Sequence, residues 1–136
     1  MDEAILDSDI LSEVLKGKDP QVTAHARQYL SQYPQLAFST ISYYEILRGI
    51  RAKQATRQLS ALQQVASQAD MLAVTIPILD RAAELWVMAN SGGHPGSDAD
   101  LIIAATALEV GRVFVTGNTQ HFAWIPGLRI EDWRQP

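Results

Sequence analysis

Short apolar runs alternate with helix-patterned segments along almost the whole chain, and this alternation is what most limits the fold. Ala4-Ile5-Leu6, Leu36 to Phe38, Met71 to Ile76, Arg112 to Thr116 and Leu128 to Ile130 read as strands. Between them, apolar residues recur at helical spacing: Ile10, Leu11, Val14 and Leu15 up to Gly17, then Pro20 to Gln32, Ser39 to Ile50 and Thr56 to Ala69. Pro77 opens a further helix through Ala89, with Leu79, Ala82, Ala83 and Trp86 expected inward. Ser91 to Ser97 is the one loop-rich stretch, and a strongly apolar helix follows from Asp98 to Val110, closed by Gly111. Strands that are apolar throughout are buried on both faces. The expected fold is therefore α/β: a central, mostly parallel sheet of about five short strands flanked by helices, in a single domain over 1–136.

A parallel sheet makes a geometric prediction about the polar residues. Its functional crevice lies beyond the carboxyl ends of the strands. Asp7 and Asp9 follow the first strand, and Glu45 lies in the first turns of the helix after the second. Asp100 opens the helix that leads into the fourth strand, and Thr116 and Asn118 follow that strand. Asp7, Glu45, Asp100 and Asn118, distant in sequence, should meet at one rim if the sheet is parallel.

Composition narrows the chemistry available there. The 136 residues include no cysteine and only three scattered histidines, so a metal would be held by oxygen, which points to Mg²⁺ or Mn²⁺. Crowded carboxylates repel unless a cation neutralises them, and such an ion can activate water against a phosphodiester. The net charge of −4 argues against nucleic-acid binding by bulk electrostatics alone. There is no basic leader and no apolar run long enough to span a bilayer, so a cytoplasmic, non-membrane protein is expected. A simpler reading stands beside this one. Ser42-Tyr43-Tyr44-Glu45 and Ser97-Asp98-Ala99-Asp100 both match the capping box, and Asp7 fits an ordinary turn. It is the joint placement of these acids at one edge that favours a site.

These same segments resemble a known family. Ile5-Leu6-Asp7-Ser8-Asp9-Ile10-Leu11 is similar to the opening L-D-T-N-I-L of VapC-type PIN-domain toxins. Ile41 to Gly49 resembles their E-L-x-x-G stretch, Asp98 to Ala107 resembles D-x-x-I-A-A-x-A, and Val115 to Thr119 resembles V-T-x-N-T. The ending from Phe122 to Trp133 resembles F-x-x-I-x-G-L-x-x-x-x-W. The resemblance implies a PIN-like fold and an endoribonuclease that cuts RNA with Mg²⁺ or Mn²⁺ by metal-activated water. It implies a toxin held in check by a cognate antitoxin, and a homodimer. By position it assigns Asp7, Glu45 and Asp100 as catalytic, metal-binding carboxylates. Ser8, Thr116 and Asn118 would support them by hydrogen bonds. Asp9 stands where the family usually has Asn, and Asp98 is a further possible acid; Asn118 replaces a fourth acid found in many members.

Arg48, Arg51, Lys53 and Arg57 are the one basic concentration and are candidate RNA-backbone contacts, set against the alternative of a solvated helix face. Tyr43 and Tyr44 are candidates for base stacking or for the core, and His94 for a substrate contact or an idle surface position. His25 and His121 fall into no motif. Trp86 is expected in the core, with Trp124 and Trp133 covering it. The helices Ala24 to Leu30 and Thr56 to Ala69 offer apolar faces for an antitoxin helix.

Other classes fit less well. Asp7-Ser8-Asp9 superficially resembles the D-x-D of aspartate-based phosphatases, but Lys16, Lys18 and Lys53 are the only lysines and none stands late in the chain. Arg112 lies at a strand start, on the wrong edge. A receiver domain would need an Asp where Ile76-Pro77 stands. A PIN-like fold without catalysis, binding RNA or protein only, is the remaining alternative.

Overall fold

The computed structural model describes residues 2–94 and 96–136. Five strands form one sheet: β1 (Ala4–Leu6), β2 (Ala37–Ser39), β3 (Asp70–Leu72), β4 (Val113–Val115) and β5 (Ile130–Glu131), in the order β3-β2-β1-β4-β5. Every pairing is parallel, with Leu6 level with both Phe38 and Val115. Around it run α1 (Ser8–Lys16), α2 (Pro20–Gln32), α3 (Thr40–Lys53), α4 (Thr56–Gln68), α5 (Ile76–Gly92), α6 (Asp98–Val110) and the single turn α7 (Thr119–Phe122).

Local chemistry sets the helix ends. Asp19 caps α2 by accepting from the amides of Gln21 and Val22, with Pro20 in the first turn. Ser97 caps α6 through the amide of Asp100, as its motif predicts. Gly111 closes α6 at φ 68°, a left-handed conformation that costs a residue with a Cβ. Ser42 does not act as a cap. The chain leaves β2 extended at Ser39, and Ser39 caps α3 by accepting from Ile41, so Ser42 lies inside the helix, fully buried.

The alternation of side chains across the strands builds a core on each face of the sheet. Ala4, Leu6, Phe38, Val113 and Val115 pack with α1, α2 and Trp133 on one face. Ile5 and Phe114 pack with α5, α6 and Phe122 on the other. Trp133 is 1% exposed, stacked on His25 and packed at a tilt against Tyr29, so it belongs to the core rather than covering it. Trp124 is half-buried beneath His94, whose ring stacks on it at 4.8 Å.

Helix α5 departs from the expected phase. Ile78, Ala82, Leu85 and Ala89 are buried, whereas Leu79 and Trp86 are 41% and 51% exposed and Ala83 is also exposed. The helix is apolar on nearly every side, so spacing alone does not choose the inward face. The third strand ends at Leu72 rather than Ile76, because Thr75 caps α5 by accepting from the amide of Ile78. No helix among the described residues is long and apolar enough to cross a membrane.

Candidate active site

The strand order reverses direction between β1 and β4, and ligands of parallel sheets bind beyond the carboxyl edge at such a point. Asp7 leaves β1 there and Thr116 leaves β4. The two are joined directly: the amide of Asp7 donates to the carbonyl of Val115 at 2.8 Å, and the Thr116 hydroxyl donates to Oδ2 of Asp7 at 2.8 Å. The other carboxyl oxygen of Asp7 accepts from the amide of Ser8 at 2.8 Å, which starts α1. Asp7 is 7% exposed and Thr116 is fully buried.

A buried carboxyl beside other carboxyls resists ionisation. Burial first, then the nearby charge of Asp9, pushes the Asp7 carboxyl from 3.8 up to about 7, and Asp100 adds to the rise. The hydrogen bonds from Thr116 and Ser8 oppose it only in part. Asp9 is also raised, chiefly by desolvation, against bonds from the amides of Gly117 (2.9 Å) and Ile10 (2.7 Å) and the charge of Arg134.

The remaining acids join through neighbours. Oε1 of Glu45 accepts from the Ser8 hydroxyl at 2.8 Å, which ties α3 to α1. Oδ2 of Asp100 stands 3.2 Å from Nε2 of His121. Asp7, Asp9, Glu45 and Asp100 are therefore gathered at one rim, as the parallel geometry requires. Asp98 is not brought to them; it is exposed and lines a shallow cleft between α5 and α6 with Leu79, Trp86 and Ile102. Asn118 contributes its backbone amide, which donates to the Thr116 hydroxyl at 3.1 Å, while its side chain makes no capping bond.

The donor set fits a hard divalent cation. It is made of carboxylates and hydroxyls, and a carboxyl whose ionisation is opposed by burial first and by neighbouring carboxyls second is stabilised as the anion by a cation. Among the described residues, no three His, Asp or Glu side chains stand close enough together to hold a metal ion as they are placed. The fit therefore lies in donor chemistry and electrostatics.

Two residues here were not marked by sequence reasoning. His121 reaches Asp100 from the turn α7, which shows no extended helical period. Arg134 folds back from the C-terminal segment, with its guanidinium across Gly117, a bond to the Gly117 carbonyl and an ion pair with Asp132. A Cβ at residue 117 would collide with that guanidinium, so the glycine between Thr116 and Asn118 is the only trace of this contact in the sequence.

The basic residues scatter. Arg48 lies over the exposed ring of Tyr44 at 5.3 Å, and Tyr43 packs against the core. Arg51 faces a small cleft with Gln54 and Leu59. Lys53 shares a cleft with Ser8, Asp9 and Glu45, and Arg57 lies in a neighbouring one. Arg112 pairs with Asp70 and Glu3 at the opposite edge of the sheet, away from the acids.

Fold and rim together define a class: an α/β protein with an all-parallel sheet and a carboxylate site at its switch point. The chain belongs to the PIN domain family, whose model matches residues 4–127. It is 28% identical over 130 residues to the tRNA(fMet)-specific endonuclease VapC of Shigella flexneri, covering 95% of this chain and 96% of that one. It is 26% identical over 130 residues to ribonuclease VapC1 of Haemophilus influenzae strain R2866, with the same coverage of 95% and 96%. A chain of the DNA-bound VapBC crystal structure from Salmonella typhimurium superposes with a TM-score of 0.85 at 25% identity, over 98% of this chain and 99% of the other.

Proposed function

We propose that this chain is a metal-dependent endoribonuclease that acts in the cytoplasm as the toxin of a toxin–antitoxin pair. The observation that carries the reading is the buried Asp7 carboxyl, raised to about 7 with Asp9 and Asp100 beside it, in a chain of the PIN family. The naming of the curated relatives as ribonucleases supports RNA as substrate.

Asp7, Glu45 and Asp100 would hold Mg²⁺ or Mn²⁺, which when bound supplies a Lewis acid for a phosphate oxygen and lowers the pKa of a bound water. The protein's own groups do the positioning. Thr116 and the Ser8 amide fix both oxygens of Asp7, the Ser8 hydroxyl fixes Glu45, and His121 fixes Asp100. A carboxylate at this rim orients the attacking water and accepts its proton. The water oxygen bonds to phosphorus, the bond from phosphorus to the 3′ oxygen breaks, and that oxygen takes up a proton. The products are a 5′-phosphate and a 3′-hydroxyl.

An apolar groove between α2 and α4, walled by Val14, Ala26, Leu30, Leu36, Val65 and Ala69, suits the apolar face of an antitoxin segment. The VapBC complexes among the structural relatives support that partner. Exposed Ile76, Trp86, Val87 and Met88 along α5 support pairing with a second copy.

The test is incubation of purified protein with total RNA in Mn²⁺ or in EDTA, with the product ends mapped. Mn²⁺-dependent cuts bearing 5′-phosphates agree with the reading. Intact RNA, or 2′,3′-cyclic phosphate ends, contradict it, and intact RNA favours a binding module without catalysis.

A further inference from the structure

Two clefts join on the surface beside the acidic rim. The first, of about 340 Å³, has Ser8, Asp9 and Glu45 in its walls together with Lys16, Lys53 and Gln58. Lys16 and Gln58 also wall the second, of about 570 Å³, where Lys18, Arg57 and one acid, Glu13, join them. The packing of α1 on α3 and α4 creates this continuous trough, so residues far apart in sequence line it. All three lysines of an acidic chain are in it.

Ordinary structural duties account for only part of this placement. Lys16 and Lys53 lie in the last turns of α1 and α3, where helix dipoles favour cations, and Lys16 also pairs with Glu13 at 3.7 Å. Lys18 lies outside any helix. Arg57 lies in the first turn of α4, where a cation opposes the dipole and where no side chain caps the helix and no acid is present. Lys18, Lys53 and Arg57 have no acidic partner within ion-pair distance among the described residues, unlike Arg81, Arg112, Arg129 and Arg134. Exposed cations left unpaired along a trough that opens on the acidic rim are placed for a polyanion running away from that rim.

We infer that Lys16, Lys18, Lys53 and Arg57 form the track for the phosphate backbone of single-stranded RNA on one side of the cleaved bond. This rests on the ribonuclease reading and adds to it where the strand lies. The track binds backbone charge and reads no sequence. It also answers how a chain of net charge −4 holds RNA: four cations from three elements and a loop line the path of the strand.

The experiment is fluorescence anisotropy with a short labelled single-stranded RNA in EDTA, across a range of salt concentrations. It compares the wild type, a variant carrying Lys16→Gln, Lys18→Gln, Lys53→Gln and Arg57→Gln, and an Arg27→Gln control. Arg27 is an exposed arginine on α2 with no ion pair among the described residues and no place in the trough. Thermal melts check that the exposed substitutions leave the fold intact. The slope of log affinity against log salt should flatten by about 0.7 for each contact removed, with affinity at low salt down ~10-fold or more, and the control unchanged. In Mn²⁺ the variant should cut with a raised KM and a similar kcat. Equal slope and affinity in the quadruple variant overturn the track, and if both proteins still cut, the ribonuclease reading stands without it. A wild type that neither binds nor cuts overturns both. Lysine-dependent binding of a polyglutamate peptide with RNA affinity unmoved would make the trough a protein-docking surface instead, and would also overturn the proposal.

Discussion

Nε2 of His121 stands 3.2 Å from Oδ2 of Asp100, joining a one-turn helix after β4 to the first turn of α6. Both side chains are partly exposed, at 22% and 32%, so a ligand can reach the pair. An ionised carboxylate only accepts hydrogen bonds, so as a donor to it His121 uses the tautomer with its proton on Nε2. That contact fixes the orientation of Asp100. His121→Ala should therefore weaken Mn²⁺ binding, measured by calorimetry, and cleavage by roughly 10- to 100-fold each. His121→Gln, which places an N–H donor near the same point, should restore much of both. Equal Mn²⁺ affinity in the wild type and His121→Ala would leave the histidine a purely structural role.

The buried Asp7 makes the metal-free protein pH-sensitive in a defined direction. Its carboxyl is raised from 3.8 to about 7, so the native state holds the proton more tightly than the unfolded chain does. The stabilisation from this group is complete below about 3.8 and is lost as pH rises through about 7. The effect corresponds to at most ~4 kcal/mol. Asp7→Asn keeps an acceptor for the Ser8 amide and should melt at a higher temperature than the wild type at neutral pH, with the gap closing toward acid. A wild type that gains stability between pH 4 and 7 relative to the variant would contradict this.

The strand–helix alternation was legible because short strands buried on both faces leave uninterrupted apolar runs, as Ala4-Ile5-Leu6 does. The rim followed from the parallel sheet, since it puts the residues after β1 and β4 side by side. Other features depend on tertiary packing. Ser42 matches a cap as well as Ser39 does, and only the exit of the chain from β2 decides between them. In α5, Leu79 and Trp86 lost to Ile78 and Leu85 because nearly every face of that helix is apolar. The company that Lys16 and Lys18 keep with Lys53 and Arg57 arises from α1 packing on α3 and α4, and no local pattern reports it.

Arg134 and Gly117 form a pair whose energetics follow from exposure. The guanidinium is close to half exposed and flexible, so a methyl group at residue 117 should displace it rather than distort the backbone. Gly117→Ala and Arg134→Ala should each change stability by less than ~0.5 kcal/mol. The double variant should be no worse than either single one, because both remove the same contact. Additive losses in chemical denaturation would show that the two residues act independently.

Trp133 lies close to the end of the chain yet is 1% exposed, packed against Tyr29 and stacked on His25. Trp133→Ala should cost about 3–5 kcal/mol by denaturant unfolding, as for a large aromatic removed from a core. A loss below 1 kcal/mol would place the C-terminal segment outside the cooperative core.

The most direct test of the central claim is single-turnover cleavage of a substrate RNA in Mn²⁺ by the wild type, Asp7→Asn and Asp100→Asn, with folding checked by circular dichroism. The account predicts Mn²⁺-dependent cutting by the wild type and its loss, by at least ~100-fold, in both folded variants. Cutting retained by both variants at the wild-type rate, or unaffected by EDTA, would contradict the assignment of this carboxylate rim as the catalytic site.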